Sequence, residues 1–165
     1  MPFALATDHL DVPGFAGCTV ADLLAFGVPQ PDVLAALKAR LKRDIDDQAE
    51  SLRLKLITPG SGQAMEYQEA YSQAQAVLTA TGTVKPADYP MLAATIGVDF
   101  DPDTGKPATD VLGVARSVKA AYEAYLEAGA AIRGVRLGAK VEIEAASDVD
   151  LALAVFSAIA WPSFG

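Results

Sequence analysis

Apolar residues recur at helical spacing through most of this chain. The first long stripe is Leu34, Leu37, Leu41, Ile45, Gln48, Leu52 and Leu56, in steps of three and four that close an eleven-residue period with Gln48 as its polar member. It predicts a long helix opened by Pro31 and Asp32. The other faces carry charges of both signs, Lys38, Lys42, Asp46 and Glu50 among them, which read as a solvated surface. A second helix is expected from about Gln63 to Ala80, with Ala64, Tyr67, Tyr71, Ala74 and Leu78 as its seam. Between the two, Ile57 to Tyr67 reads as the turn of a helical hairpin. There Pro59 lacks a backbone donor, Gly60 and Gly62 tolerate positive φ, and Ser61 or Thr58 caps the next helix.

A second very long helical pattern runs from Thr109 to about Ala146, with Val111, Val114, Val118, Ala121, Tyr125, Ala128, Ile132, Val135, Ala139 and Ile143 on one stripe. Gly129, Gly134 and Gly138 interrupt it. Each costs roughly 1 kcal/mol of helix propensity relative to alanine, and their spacing reads as room for another helix to approach. Shorter helices are expected where Thr19 precedes Leu23, Leu24 and Phe26 with Gly27 as stop, and where Asp88 precedes Tyr89 to Ile96 with Gly97 as stop. A last one is expected where Ser147 and Asp150 form a capping box ahead of Leu151 to Ile159. The expected fold is all-α: an elongated helical hairpin or bundle with two long helices over residues 32–165, preceded by an N-terminal extended arm at 1–31.

The arm differs in composition from the rest. It holds Pro2, Pro13, Pro29 and Pro31 and three of the six phenylalanines, and the first Lys or Arg of the chain is Lys38. It reads either as strand or coil packed on its own helices or as a docking arm that inserts its aromatics into a neighbouring subunit. Outside the two chain ends the only Phe or Trp is Phe100, so Phe3, Phe15, Phe26, Phe156, Trp161 and Phe164 are the candidate interface residues.

Charge and chemistry narrow the function. A net charge of -8 disfavours nucleic acid and anionic membranes as partners. With one cysteine, Cys18, and one histidine, His9, neither an internal disulfide nor a structural zinc site is expected. No run of 18 apolar residues and no basic signal-peptide start are found, so the chain reads as made in the cytoplasm. No spacing supports a nucleophile with its base, a phosphate loop or a metal motif, and no catalytic residue, cofactor or metal is expected. The loop at 98–107 alternates Asp99, Asp101 and Asp103 as a calcium loop does, but the glycine such a loop needs at its sixth position comes one place late, as Gly105. A Pro-Asp-Thr-Gly β-turn is the expectation there.

The segment from Leu41 to Leu78, centred on Leu-Ile-Thr-Pro-Gly-Ser-Gly-Gln-Ala-Met-Glu-Tyr-Gln, resembles a helical region of tail-fibre and tail-fibre-assembly-like proteins of tailed bacteriophages and prophages. So does the order of parts after it: Ala-Asp-Tyr-Pro-Met-Leu-Ala-Ala at 87–94, an alanine-rich long helix, and Ala-Trp-Pro at 160–162. The similarity covers about residues 40–162 and leaves out the arm. It implies a non-enzymatic virion protein in the tail or fibre region serving host attachment, with other tail and fibre proteins as partners and three copies as the favoured homo-oligomer. The alternative it implies is a fibre-assembly chaperone that is not retained in the particle. It carries no catalytic residue over.

Overall fold

The computed structural model describes residues 9–57 and 60–164. The chain is mostly helical, and it divides into two compact units: residues up to Arg53 with those from Ala130 onward, and Leu54–Gly129.

In the first unit, Leu10–Val12 (β1) and Phe15–Cys18 (β2) pair antiparallel, Leu10 opposite Cys18 and Val12 opposite Phe15, with a bulge between. Gly14, at φ +87°, makes the tight connection that an L side chain would strain. Helix α1 (Val20–Ala25) starts as its sequence predicts. The Thr19 hydroxyl accepts from the Asp22 amide at 3.1 Å and the Asp22 carboxylate accepts from the Thr19 amide at 3.1 Å, a reciprocal capping box. Gly27, at φ +79°, ends it. Helix α2 (Gln30–Arg53) follows and packs against β1, α1 and the last helix, α6 (Val149–Ser157). The expected box from Ser147 is replaced by a simple cap one residue later, where Asp148 Oδ1 accepts from the Leu151 amide at 2.8 Å.

The buried row of α2 differs from the expected stripe. Val33, Leu37, Leu41, Ile45 and Ala49 are buried, whereas Leu34, Gln48 and Leu52 are half-buried. Uniform steps of four follow one i±4 ridge, the packing surface one helix offers another, so small Ala49 replaces Gln48 at the contact. Gln48 sits beside the row and meets a polar partner: its Oε1 accepts from Trp161 Nε1 at 2.7 Å. The core of this unit joins Leu10, Leu23, Val28, Leu37, Leu41 and Ile45 to Ala139, Ile143, Ala146 and Ala152.

The arm's described residues are therefore not wholly extended or helical. Two small antiparallel hairpins, this one and the one below, qualify the all-α expectation.

In the second unit, helix α3 spans Ser61–Thr79. Gly60 stands at its N-cap with no side-chain cap bond, so Ser61 does not cap it; Thr58 and Pro59 lie outside the described residues. Its buried positions are Ala74 and Val77, while Tyr67 is half-exposed and Ala64 exposed, so the expected seam holds only in the second half. Ala74 and Val77 join Leu92, Ala108, Val111, Val114 and Ala115 in the core of this unit. Tyr71 stacks on Tyr122 with ring centroids 3.6 Å apart.

A 3₁₀ turn at Pro86–Asp88 leads into α4 (Pro90–Ala93). Asp88 does not cap α4. Gln73 Oε1 of α3 accepts from the Met91 amide at 3.0 Å, so the cap comes from another helix. Phe100–Asp101 (β3) and Lys106–Pro107 (β4) form the second hairpin around the expected Pro-Asp-Thr-Gly turn, with the Gly105 amide donating to the Asp101 carbonyl at 2.8 Å.

Helix α5 (Val111–Ala145) runs through both units. A Cβ placed on Gly129, Gly134 or Gly138 would have nothing within 4 Å among the described residues, so the expected close approach of a helix is not seen within either unit. The close approach occurs at Gly113, where a Cβ would lie 3.0 Å from Ala108 Cβ and 3.1 Å from Asp101 Oδ2.

Candidate functional site

The six aromatic candidates separate by exposure. Phe15, Phe156 and Trp161 are half-buried against the core of the first unit, and Trp161 is held by its bond to Gln48. Phe164 is 39% exposed and Phe26 is 61% exposed. Phe3 lies outside the described residues. Sequence position alone marks all six equally; their packing divides them into core walls and surface.

Phe26 and Phe15 form one feature. Their rings stack at 5.6 Å with planes 13° apart, Phe15 from β2 and Phe26 from the end of α1. Beside them lies a groove of about 560 Å3 bounded by Val12 and Pro13 of the hairpin, Val28 and Pro29 of the connection, and Ala35 and Ala36 of α2. Two carboxylates line it, Asp11 and Asp32, and among the described residues no lining residue is basic. Asp11 is oriented by the Gly17 amide, which donates to its Oδ1 at 3.1 Å. The groove is assembled from the β1–β2 hairpin, the α1–α2 connection and the start of α2, which sequence periodicity does not relate.

Ion pairs within each unit engage charges that the helical pattern assigned to solvent. Arg136 and Lys140 of α5 donate to the two oxygens of Asp46 at 2.8 and 2.6 Å. Lys42 pairs with Glu144, and Lys38 donates to the Glu144 carbonyl at 2.7 Å. Lys38, Lys42 and Asp46 thus form a row beside the buried ridge of α2. In the second unit, Arg116 grips the 5% exposed Asp101 at 2.9 and 2.5 Å and reaches Asp103 at 3.0 Å. Two members of the expected acidic alternation are thus bound to an arginine, which ties the hairpin to α5. Among the described residues, no group of three or more His, Cys, Asp or Glu side chains is placed to hold a metal ion. His9 and Cys18 make no bond to each other among the described contacts; the thiol donates to the Ala16 carbonyl at 3.7 Å. Among the described residues, no helix is long and apolar enough to cross a membrane.

These pairs contribute to the acid limit of stability. The Lys140 hydrogen bond, against the opposing effect of burial, holds the Asp46 carboxyl below its ordinary 3.8, and the Arg116 hydrogen bond does the same for Asp101. A carboxyl lower in the folded than in the unfolded chain stabilises the fold fully above the unfolded value, and that stability is lost as pH falls through the folded one. The thermal midpoint is expected to be level between about pH 7 and 5 and to fall below about pH 4. The double variant Asp46→Asn/Asp101→Asn is expected to start lower and to lose less on acidification. Circular-dichroism melts across that range check this, and an equal acid loss in both proteins would remove these pairs as its cause.

The groove presents an exposed aromatic face, an apolar floor and two carboxylates. Comparison with protein-family models, with curated proteins and with solved structures finds no match to this chain.

Proposed function

We propose that this chain is a non-enzymatic structural protein of a tailed-phage virion, placed in the tail or fibre region as an adaptor or attachment component. The observation that carries the reading is the Thr-Pro-Gly-Ser-Gly-Gln-Ala-Met-Glu-Tyr string at 58–67, with the Ala-Asp-Tyr-Pro-Met-Leu and Ala-Trp-Pro segments following in the same order as in the tail proteins it resembles. Its partners are other tail and fibre proteins and further copies of itself, three copies being the favoured number.

Quantitative mass spectrometry of purified particles tests this. A fixed copy number, in a small multiple of three relative to a major tail protein, is the expected result. Abundance in the lysate with absence from the particles overturns it and assigns the protein to transient fibre assembly.

A further inference from the structure

We propose that the groove beside Phe15 and Phe26 binds a segment of a partner protein in which a lysine or arginine adjoins an aromatic or branched aliphatic side chain. This goes beyond the tail reading and does not depend on it.

Shape, surface and charge lead to this occupant. A volume of about 560 Å3 accommodates side chains of a short segment, and Val12, Val28 and Pro29 give them an apolar floor. Phe26 keeps 61% of its surface exposed while its ring is held in a stack on Phe15, so a ligand gains an aromatic face without the cost of ordering it. Among the described residues the lining's ionisable groups are Asp11 and Asp32, and residues 1–37 contain no Lys or Arg to neutralise them. A cation at the rim meets these carboxylates, whereas an acidic segment meets like charge without compensation. A cation over the Phe26 ring is favoured further by the ring's negative face. A second copy of this chain is a poorer match, since its own aromatic ends, residues 1–31 and 156–165, also lack Lys and Arg.

The test is a titration of the ¹⁵N-labelled full chain at low salt with three blocked pentapeptides: Gly-Lys-Phe-Lys-Gly, Gly-Glu-Phe-Glu-Gly and Gly-Lys-Gly-Lys-Gly. The Lys-Phe-Lys peptide is expected to shift the amides of Gly14, Gly17 and Gly27 saturably, with at least ten-fold tighter binding than either control. Phe26→Ser, at an exposed position, is expected to weaken it at least five-fold. Asp32→Asn is expected to narrow its advantage over the acidic peptide and to reduce its salt dependence. Equal binding of all three peptides, or saturable shifts confined to other parts of the chain, would overturn the proposal. So would shifts of the same amides on concentrating the peptide-free protein, which would assign the groove to a second copy.

Discussion

Leu41→Ala is expected to destabilise the first unit by about 3 kcal/mol, within the 2–5 kcal/mol range for emptying a buried leucine site. Leu41 is 1% exposed in the middle of the α2 ridge, between Leu37 and Ile45, in the cluster that also holds Ala139 and Ile143. Its neighbours on the ridge are themselves fully buried, so the vacated volume cannot be filled by rotation of a surface chain. The fluorophores separate the units. The one tryptophan, Trp161, packs against the core of the first unit, and all five tyrosines fall within residues 54–129. With a urea slope of about 2 kcal/mol/M, the Trp161 transition is expected to move down by about 1.5 M. Leu92→Ala, at a fully buried position of the second unit, is expected to act mainly on the tyrosine signal. Leu137→Ala, at a position 41% exposed on α5, is expected to cost under about 1 kcal/mol. A Leu41→Ala shift no larger than that of Leu137→Ala would show that the α2 ridge is not the core of its unit.

The second large effect has the opposite sign. Gly134→Ala combined with Gly138→Ala is expected to stabilise the isolated chain by about 2 kcal/mol, roughly 1 kcal/mol for each glycine removed from a helix interior. Both positions are exposed in α5 and an added methyl meets nothing within 4 Å. For a domain of this size that is a rise of about 4–8 °C in thermal midpoint.

Gly113→Ala makes the same chemical change in the same helix and is expected to lower the midpoint. Its methyl would press on Ala108, which cannot yield readily: the Ala108 amide donates to the Asp99 carbonyl and its carbonyl accepts from the Gly97 amide, both at 2.8 Å. Overpacking of this kind costs about 1–3 kcal/mol. Scanning calorimetry with light scattering on the same samples decides the matter. If the Gly134/Gly138 double variant is less stable and smaller in assembled mass than the wild type, those glycines serve a helix of another copy.

Much of the local structure was legible because it depends on residues within one or two turns of each other. Thr19 and Asp22 are three residues apart, and the hydroxyl and carboxylate find each other's amides whatever surrounds them. Gly27 as a stop, the turn before Gly105 and the extents of α2 and α5 follow from the same short-range chemistry. For the candidate site, sequence marked Phe15 and Phe26 as unusual aromatics in an arm without basic residues. It did not separate them from Phe156 and Trp161, because exposure is a property of what packs alongside.

The tertiary structure decided the rest, and in each case the partner is far away in sequence. Asp46 looked solvated by its periodicity; Arg136 and Lys140 lie at least 90 residues on and make it a link between α2 and α5. Asp101 and Asp103 lie in the expected β-turn loop, but the partner of both is Arg116, on a different element. The cap of α4 comes from Gln73 of α3, and the polar member of the first stripe is satisfied by Trp161, 113 residues later. Composition and period specify which residues form a helix and which of its faces is apolar. Hydrogen-bond partners, the filling of buried volume and the walls of a groove depend on positions in space, and those exist only once the chain has folded.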